Sequence, residues 1–130
     1  MIVLDTSAAI ELLLALPKAT QVQDRLEQAQ WQVAAPQLLL VEVLQVLRRR
    51  VASGVTELKD AEVARELLHD LSPHYFDHDL LGTRVWQLRD NLTAYDACYV
   101  ALAELLDVEL VTADAKLAAA PGHGARLVLL

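Results

Sequence analysis

Four carboxylates are the residues of this sequence whose types and placement could do chemistry: Asp5, Glu42, Asp96 and Asp114. Acids crowded together repel one another, so grouping them is costly unless a cation lies among them. An all-oxygen donor set suits Mg²⁺ or Mn²⁺, whereas zinc favours His or Cys. Such a cation lowers the pKa of water and stabilises charge on phosphoryl oxygens.

Each acid also has an ordinary role. Asp5 stands between an apolar run and a helical pattern, where Asp is a common N-cap. Thr6 or Ser7 could cap instead, which leaves the Asp5 carboxylate freer to bind something else. Glu42 lies in Leu38-Leu39-Leu40-Val41-Glu42-Val43-Leu44, with Arg49 further along its helical stripe. A charge ringed by aliphatics needs a partner if buried, such as a metal or an Arg. Asp96 follows Thr93 by three residues, a capping box with Asp in place of the longer Glu or Gln. Asp114 sits at another strand-to-helix junction, and Thr112 adds a hydroxyl able to hold a metal-bound water or a phosphate oxygen.

The elements that must position these acids are short strands alternating with helices. Met1 to Leu4 reads as a buried strand, followed by helices from Ser7 to Leu16 and from Ala19 to Gln30. Trp31 to Ala34 is a second strand, and Pro36 opens a helix to about Ala52, closed by Gly54. Thr56 starts a helix to Leu71, and Pro73 to Asp77 forms a third strand. Asp79 caps a helix through Leu88, and Thr93 one through Leu106. Glu109 to Thr112 is a strand, Asp114 to Ala119 a short helix, and Arg126 to Leu130 a last strand. This alternation predicts an α/β fold of three layers, with a mostly parallel central sheet and helices on both faces. The ligand crevice of such sheets lies beyond the carboxyl ends of the strands, where strand order reverses. Asp5 ends one strand, and Asp114 follows another by two residues.

At 130 residues the chain is expected to form one domain, residues 1–130, large enough for a core without staples. A hydrophobic fraction of 55% suggests that a partner or second copy covers part of the surface. The lone Cys98 excludes an intramolecular disulfide and a Cys-based zinc cluster, and fits a reducing cytoplasm. Neither an export signal nor a membrane span is expected. The net charge of −7 argues against binding nucleic acid through a broad basic surface, but not against a site where a metal supplies the positive charge.

These segments, in this order, resemble the PIN-domain family, and within it the VapC-type toxins of type II toxin–antitoxin pairs. The matching stretches are Ile2-Val3-Leu4-Asp5-Thr6-Ser7-Ala8, Ala35-Pro36 leading to Glu42-Val43 and Leu47-Arg48-Arg49, and Leu110-Val111-Thr112-Ala113-Asp114. The most specific is Leu92-Thr93-Ala94-Tyr95-Asp96-Ala97, continuing through Tyr99-Val100-Ala101-Leu102-Ala103. Residues 53 to 88 match only in length and helical character. The resemblance implies a PIN-like fold and a Mg²⁺- or Mn²⁺-dependent endoribonuclease. Asp5, Glu42, Asp96 and Asp114 fall on its four acidic positions, and Thr112 on its Ser/Thr position. Asp5, Asp96 and Asp114 would hold metal, Thr6 and Thr112 would support them, and Glu42 or Asp114 would orient the water. It also implies a cognate VapB-like antitoxin and a homodimer.

The only dense basic run is Arg48-Arg49-Arg50, which also suits a helix C-terminus. Arg48, Arg49 and Lys116 are the candidate RNA contacts, with Lys18 and Arg89 near crevice segments. His74 and His78 read as solvated surface, and Trp86, Tyr95 and Tyr99 as packing residues. Two rival readings are a phosphotransfer domain built on Asp5 and a noncatalytic module that binds metal or a basic peptide.

Overall fold

A computed structural model describes all 130 residues. Its elements are β1 (Ile2–Leu4), α1 (Thr6–Leu13), α2 (Ala19–Gln28), β2 (Val33–Pro36), α3 (Leu38–Ala52), α4 (Leu58–Leu71), β3 (His74–Phe76), α5 (His78–Gln87), α6 (Ala94–Leu106), β4 (Glu109–Thr112), α7 (Ala115–Ala119) and β5 (Arg126–Leu129). The five strands form one sheet in the order β3-β2-β1-β4-β5. Every pairing is parallel, so the expected mostly parallel sheet is wholly so.

The chain moves outward from β1 to β3, then returns to the other side of β1 with β4 and β5. Right-handed crossovers then set the helices of the outward path on one face and those of the return path on the other. The contacts agree: α1 packs on α2, α3 and α4, while α5 packs on α6 and α6 crosses β1, β2 and β4. Strand order reverses between β1 and β4, which puts the crevice between their carboxyl ends.

The central strands are apolar because both faces are covered: Ile2, Val3, Leu4, Leu110 and Val111 are all buried. In α6, seven successive residues from Ala97 to Ala103 are buried. A helix hydrophobic all round is one enclosed by its surroundings. Ala97, Ala101 and Ala103 add little bulk, which lets its backbone approach the sheet.

Several boundaries differ from the sequence expectation. Gln30 and Trp31 have φ of 54° and 58°, so a left-handed turn occupies the expected start of the second strand. That strand therefore begins at Val33 and ends on Pro36, which does not open α3. Instead His78 reaches across from the start of α5, and its Nε2 accepts the Leu38 N–H at 2.8 Å. His78 is exposed, as expected, yet it serves as the cap of α3. Thr56 does not start α4, which begins at Leu58; the Thr56 hydroxyl is buried and accepts Arg50 Nε at 2.9 Å. Asp77, not Asp79, occupies the N-cap position of α5, with no side-chain bond.

Candidate active site

β1 and β4 deliver the first two acids. Asp5 caps α1 itself: Oδ1 accepts the Ala8 N–H at 2.9 Å and the Ser7 hydroxyl at 2.7 Å. The expected substitution of Thr6 or Ser7 as the cap does not occur, because both hydroxyls are engaged elsewhere. Thr112 donates to Asp5 Oδ2 at 2.5 Å and accepts the Asp114 N–H at 2.9 Å. Its side chain is wholly enclosed, so it ties the two strand ends together and faces no phosphate. Ser7, absent from the sequence candidates, accepts the Ala113 N–H at 2.8 Å and completes the same seam. Asp114 caps α7, accepting the N–H groups of Lys116 and Leu117.

α6 supplies Asp96 from its first turn. The Thr93 hydroxyl accepts the Asp96 N–H at 3.2 Å, the forward half of a capping box. The backbone N–H of Thr93 gains no return bond from the shorter Asp, whose carboxylate lines the cleft. α3 supplies Glu42. Its Oε1 accepts the Thr6 hydroxyl at 2.8 Å and the Tyr99 hydroxyl at 2.7 Å, so the partners of this acid are hydroxyls and not an Arg.

The four acids, far apart in the chain, line one cleft of ≈ 280 Å³ together with Thr6, Ser7, Tyr99, Ile10 and Val46. Their fields overlap. Burial raises the Asp5 carboxyl above its usual range, a rise that Asp114 adds to and that the Thr112, Ala8 and Ser7 bonds oppose. Asp96 is raised by burial and by the negative charges of Asp114, Glu42 and Asp5. Tyr99 is raised far above an ordinary phenol, first by burial, and Glu42 adds to that rise.

The donors are all oxygen, as Mg²⁺ or Mn²⁺ requires. No three Asp, Glu, His or Cys side chains form a ready-made coordination cage. Mg²⁺ does not require one, because it keeps several waters and takes only one or two carboxylates directly. Burial is the main cause of the raised Asp5 and Asp96 carboxyls, and such an ion would relieve the repulsion that adds to it.

The basic candidates separate in space. Lys116 is exposed in α7, two residues beyond Asp114. Arg49 is exposed and continues the α3 stripe of Glu42 and Val46. Arg48 instead lines a groove between α3 and α4 with Leu44 and Glu62. Two aromatics expected to pack do not: Tyr95, next to Asp96, is 63% exposed and Trp86 is 69% exposed, with the Arg89 guanidinium 4.8 Å from its ring centroid. Tyr99 is buried as expected, but its bond to Glu42 had no local sequence signal.

Residues 2–122 match the PIN domain family model. The chain is 48% identical to "Ribonuclease VapC1" of Mycobacterium tuberculosis over 68% of its length and 67% of that protein. It is 37% identical to "Ribonuclease VapC12" of the same organism over its whole length and 99% of that protein. Among solved structures, VapBC2 from Rickettsia felis bound to a DNA fragment from their promoter superposes with a TM-score of 0.67 and 18% identity, covering 99% of this chain and 98% of that one. At that identity the likeness concerns the fold alone. Family model, relatives and fold agree: the chain belongs to the PIN-domain family, in the company of the VapC proteins.

Proposed function

We propose that this protein is a Mg²⁺- or Mn²⁺-dependent endoribonuclease and the toxin of a toxin–antitoxin pair. The observation that carries the reading is the cleft between β1 and β4, lined by acids from four separate parts of a PIN-domain chain. The ribonuclease names of its relatives point the same way. Asp5, Asp96 and Asp114 hold the cation, one or two of them directly and the rest through its waters, Thr112 supports Asp5 from beneath, and Thr6 supports Glu42.

A divalent cation bound there supplies the positive charge that an acidic protein lacks and makes water a better nucleophile toward phosphorus. The chain's own residues do the rest. Asp5, fixed by three hydrogen bonds, keeps its place without reorganisation during the reaction. Glu42, with a carboxylate oxygen that no group of the chain engages, orients the attacking water or accepts its proton. Lys116 and Arg49 meet phosphates flanking the cut, whereas the position of Arg48 removes it from this path.

A VapB-like antitoxin and a second copy of the chain are the proposed partners. Exposed aliphatics such as Val41, Val55, Leu58 and Val63 support coverage by another protein. We place the protein in the cytoplasm, where its one buried cysteine stays reduced. No helix is long and apolar enough to cross a membrane.

The test is to map cleavage ends on total RNA with wild type and Asp5→Ala in parallel, with Mg²⁺ or Mn²⁺ and then with chelator. New ends are expected from the wild type with metal only. Identical ends from both proteins, or none from pure wild type with metal, would refute the nuclease reading. In the second case a noncatalytic metal- or peptide-binding module becomes the better account.

A further inference from the structure

Three of the four acids are placed by short side chains at helix starts: Asp5 and Asp114 as N-caps and Asp96 in the first turn of α6. Glu42 is different. It projects from within α3 on a longer side chain and contributes nothing to capping. A glutamate gives up much rotamer freedom when it is fixed, so something must hold it. Two hydroxyls do so: Tyr99 from α6 and Thr6 from α1 both reach Oε1, at 2.7 and 2.8 Å. The same two hydroxyls lie 2.8 Å from each other, which closes a triangle of oxygens.

The triangle contains only two hydroxyl protons when Glu42 is ionised, because a carboxylate can only accept. With both protons directed at Oε1, the Thr6–Tyr99 edge carries none. The acceptor is what draws the two hydroxyls together. Nothing in the chain donates to Oε2, although Glu42 lines the cleft.

We propose that Tyr99 and Thr6 are positioning residues, which clamp Glu42 through Oε1 and so present Oε2 as its one free acceptor in the cleft. This inference rests on the nuclease reading for its effect on cleavage, but not for its effect on cation binding. The clamp joins three helices, so Glu42 holds one position whether or not RNA is present, and no ordering is left for the reaction step. Tyr99 touches neither substrate nor cation in this arrangement. It acts through Glu42, in the way that outer partners orient metal-site ligands.

The decisive experiment is a double-mutant cycle on the full chain with Tyr99→Phe, Glu42→Gln and the two combined. Three quantities are read: Mn²⁺ affinity by calorimetry without RNA, single-turnover cleavage at saturating Mn²⁺, and thermal unfolding. Tyr99→Phe is expected to slow cleavage by roughly 10-fold and to weaken Mn²⁺ binding severalfold, because Glu42 lines the same cleft as the three cation-holding acids and its charge adds to the field that draws the ion. The enzyme concentration that gives half the maximal single-turnover rate should stay near the wild-type value. In the Glu42→Gln background the same substitution should add less than about twofold, because contacting residues couple.

Losses that simply multiply in the double variant would overturn the clamp, and so would a Tyr99→Phe protein with wild-type rate and Mn²⁺ affinity. If Tyr99→Phe fails to fold, Thr6→Val carries the same cycle. Wild type that binds Mn²⁺ but cuts no RNA refutes the nuclease reading, and the Mn²⁺ affinities then judge the clamp. Wild type that binds no Mn²⁺ overturns both.

Discussion

Thr112 gives its hydroxyl proton to Asp5 Oδ2 at 2.5 Å, across the seam where β4 lies beside β1. Asp5 is 5% exposed and Thr112 is fully enclosed, so their bond is shielded from bulk water. Thr112→Val preserves shape and deletes the donor, leaving a buried acceptor short of one bond. A loss of about 1–3 kcal/mol is expected by urea denaturation. An unchanged midpoint would mean that the strand-end seam contributes nothing.

Asp5 and Asp96 also make stability depend on pH. Both folded-state carboxyls titrate above 3.8, chiefly through burial, with acidic neighbours adding to the rise. The folded protein therefore holds these protons more tightly than the unfolded chain does. Their contribution is fully present below 3.8 and is lost as pH rises through the raised values. In chelator, Tm should carry a decline with rising pH that Asp96→Asn reduces. Mg²⁺ should raise Tm more at pH 8 than at pH 5, because protons compete with it.

Glu104 titrates in the opposite sense. Arg84 holds it below the ordinary glutamate value of 4.5 through bonds of 2.6 and 3.0 Å, and the Gly124 N–H donates to the same group. Its stabilisation is present above 4.5 and is lost as pH falls through the lowered value. Arg84 is 38% exposed, so solvent screening limits the pair. Glu104→Gln should cost roughly 1 kcal/mol at pH 7 and much less at pH 3, as read by denaturation at both. Cleavage should be unaffected at temperatures where the variant is folded.

His78 caps α3 by accepting the Leu38 N–H through Nε2 at 2.8 Å. His78→Ala leaves the Leu38 N–H without that acceptor and should lower stability by about 1 kcal/mol, as lost N-caps do. Calorimetric unfolding measures it. A wild-type Tm for the variant would show that solvent serves the α3 terminus equally well.

Tyr95 is a large aromatic left exposed one residue from Asp96. Bases splayed from single-stranded RNA stack on such faces, at about 1–3 kcal/mol each. Tyr95→Ala should therefore raise KM for RNA roughly 5- to 150-fold, the range those energies convert to, with Tm and Mn²⁺ affinity unchanged. An unaltered KM would assign base contacts elsewhere.

The sequence by itself determined the alternation of strands and helices, because buried parallel strands read as short apolar runs and amphipathic helices repeat at 3.6 residues. Asp5 and Asp114 were legible at strand ends and Asp96 at a helix start, since capping chemistry is local. Pro36 misled for the same reason: its fixed φ suits a helix start and a strand end alike, and only pairing with β3 decided between them. Tertiary structure alone decided the seam of Ser7, Thr112 and Asp5, and the triangle of Glu42, Thr6 and Tyr99. Their members are 36 to 107 residues apart apart from Ser7 and Asp5, and no local pattern records a hydroxyl's distant acceptor. The strand order β3-β2-β1-β4-β5 brought them together, by setting the ends of β1 and β4 side by side between α3 and α6. Four acids that read one by one as routine helix residues thereby came to share one cleft.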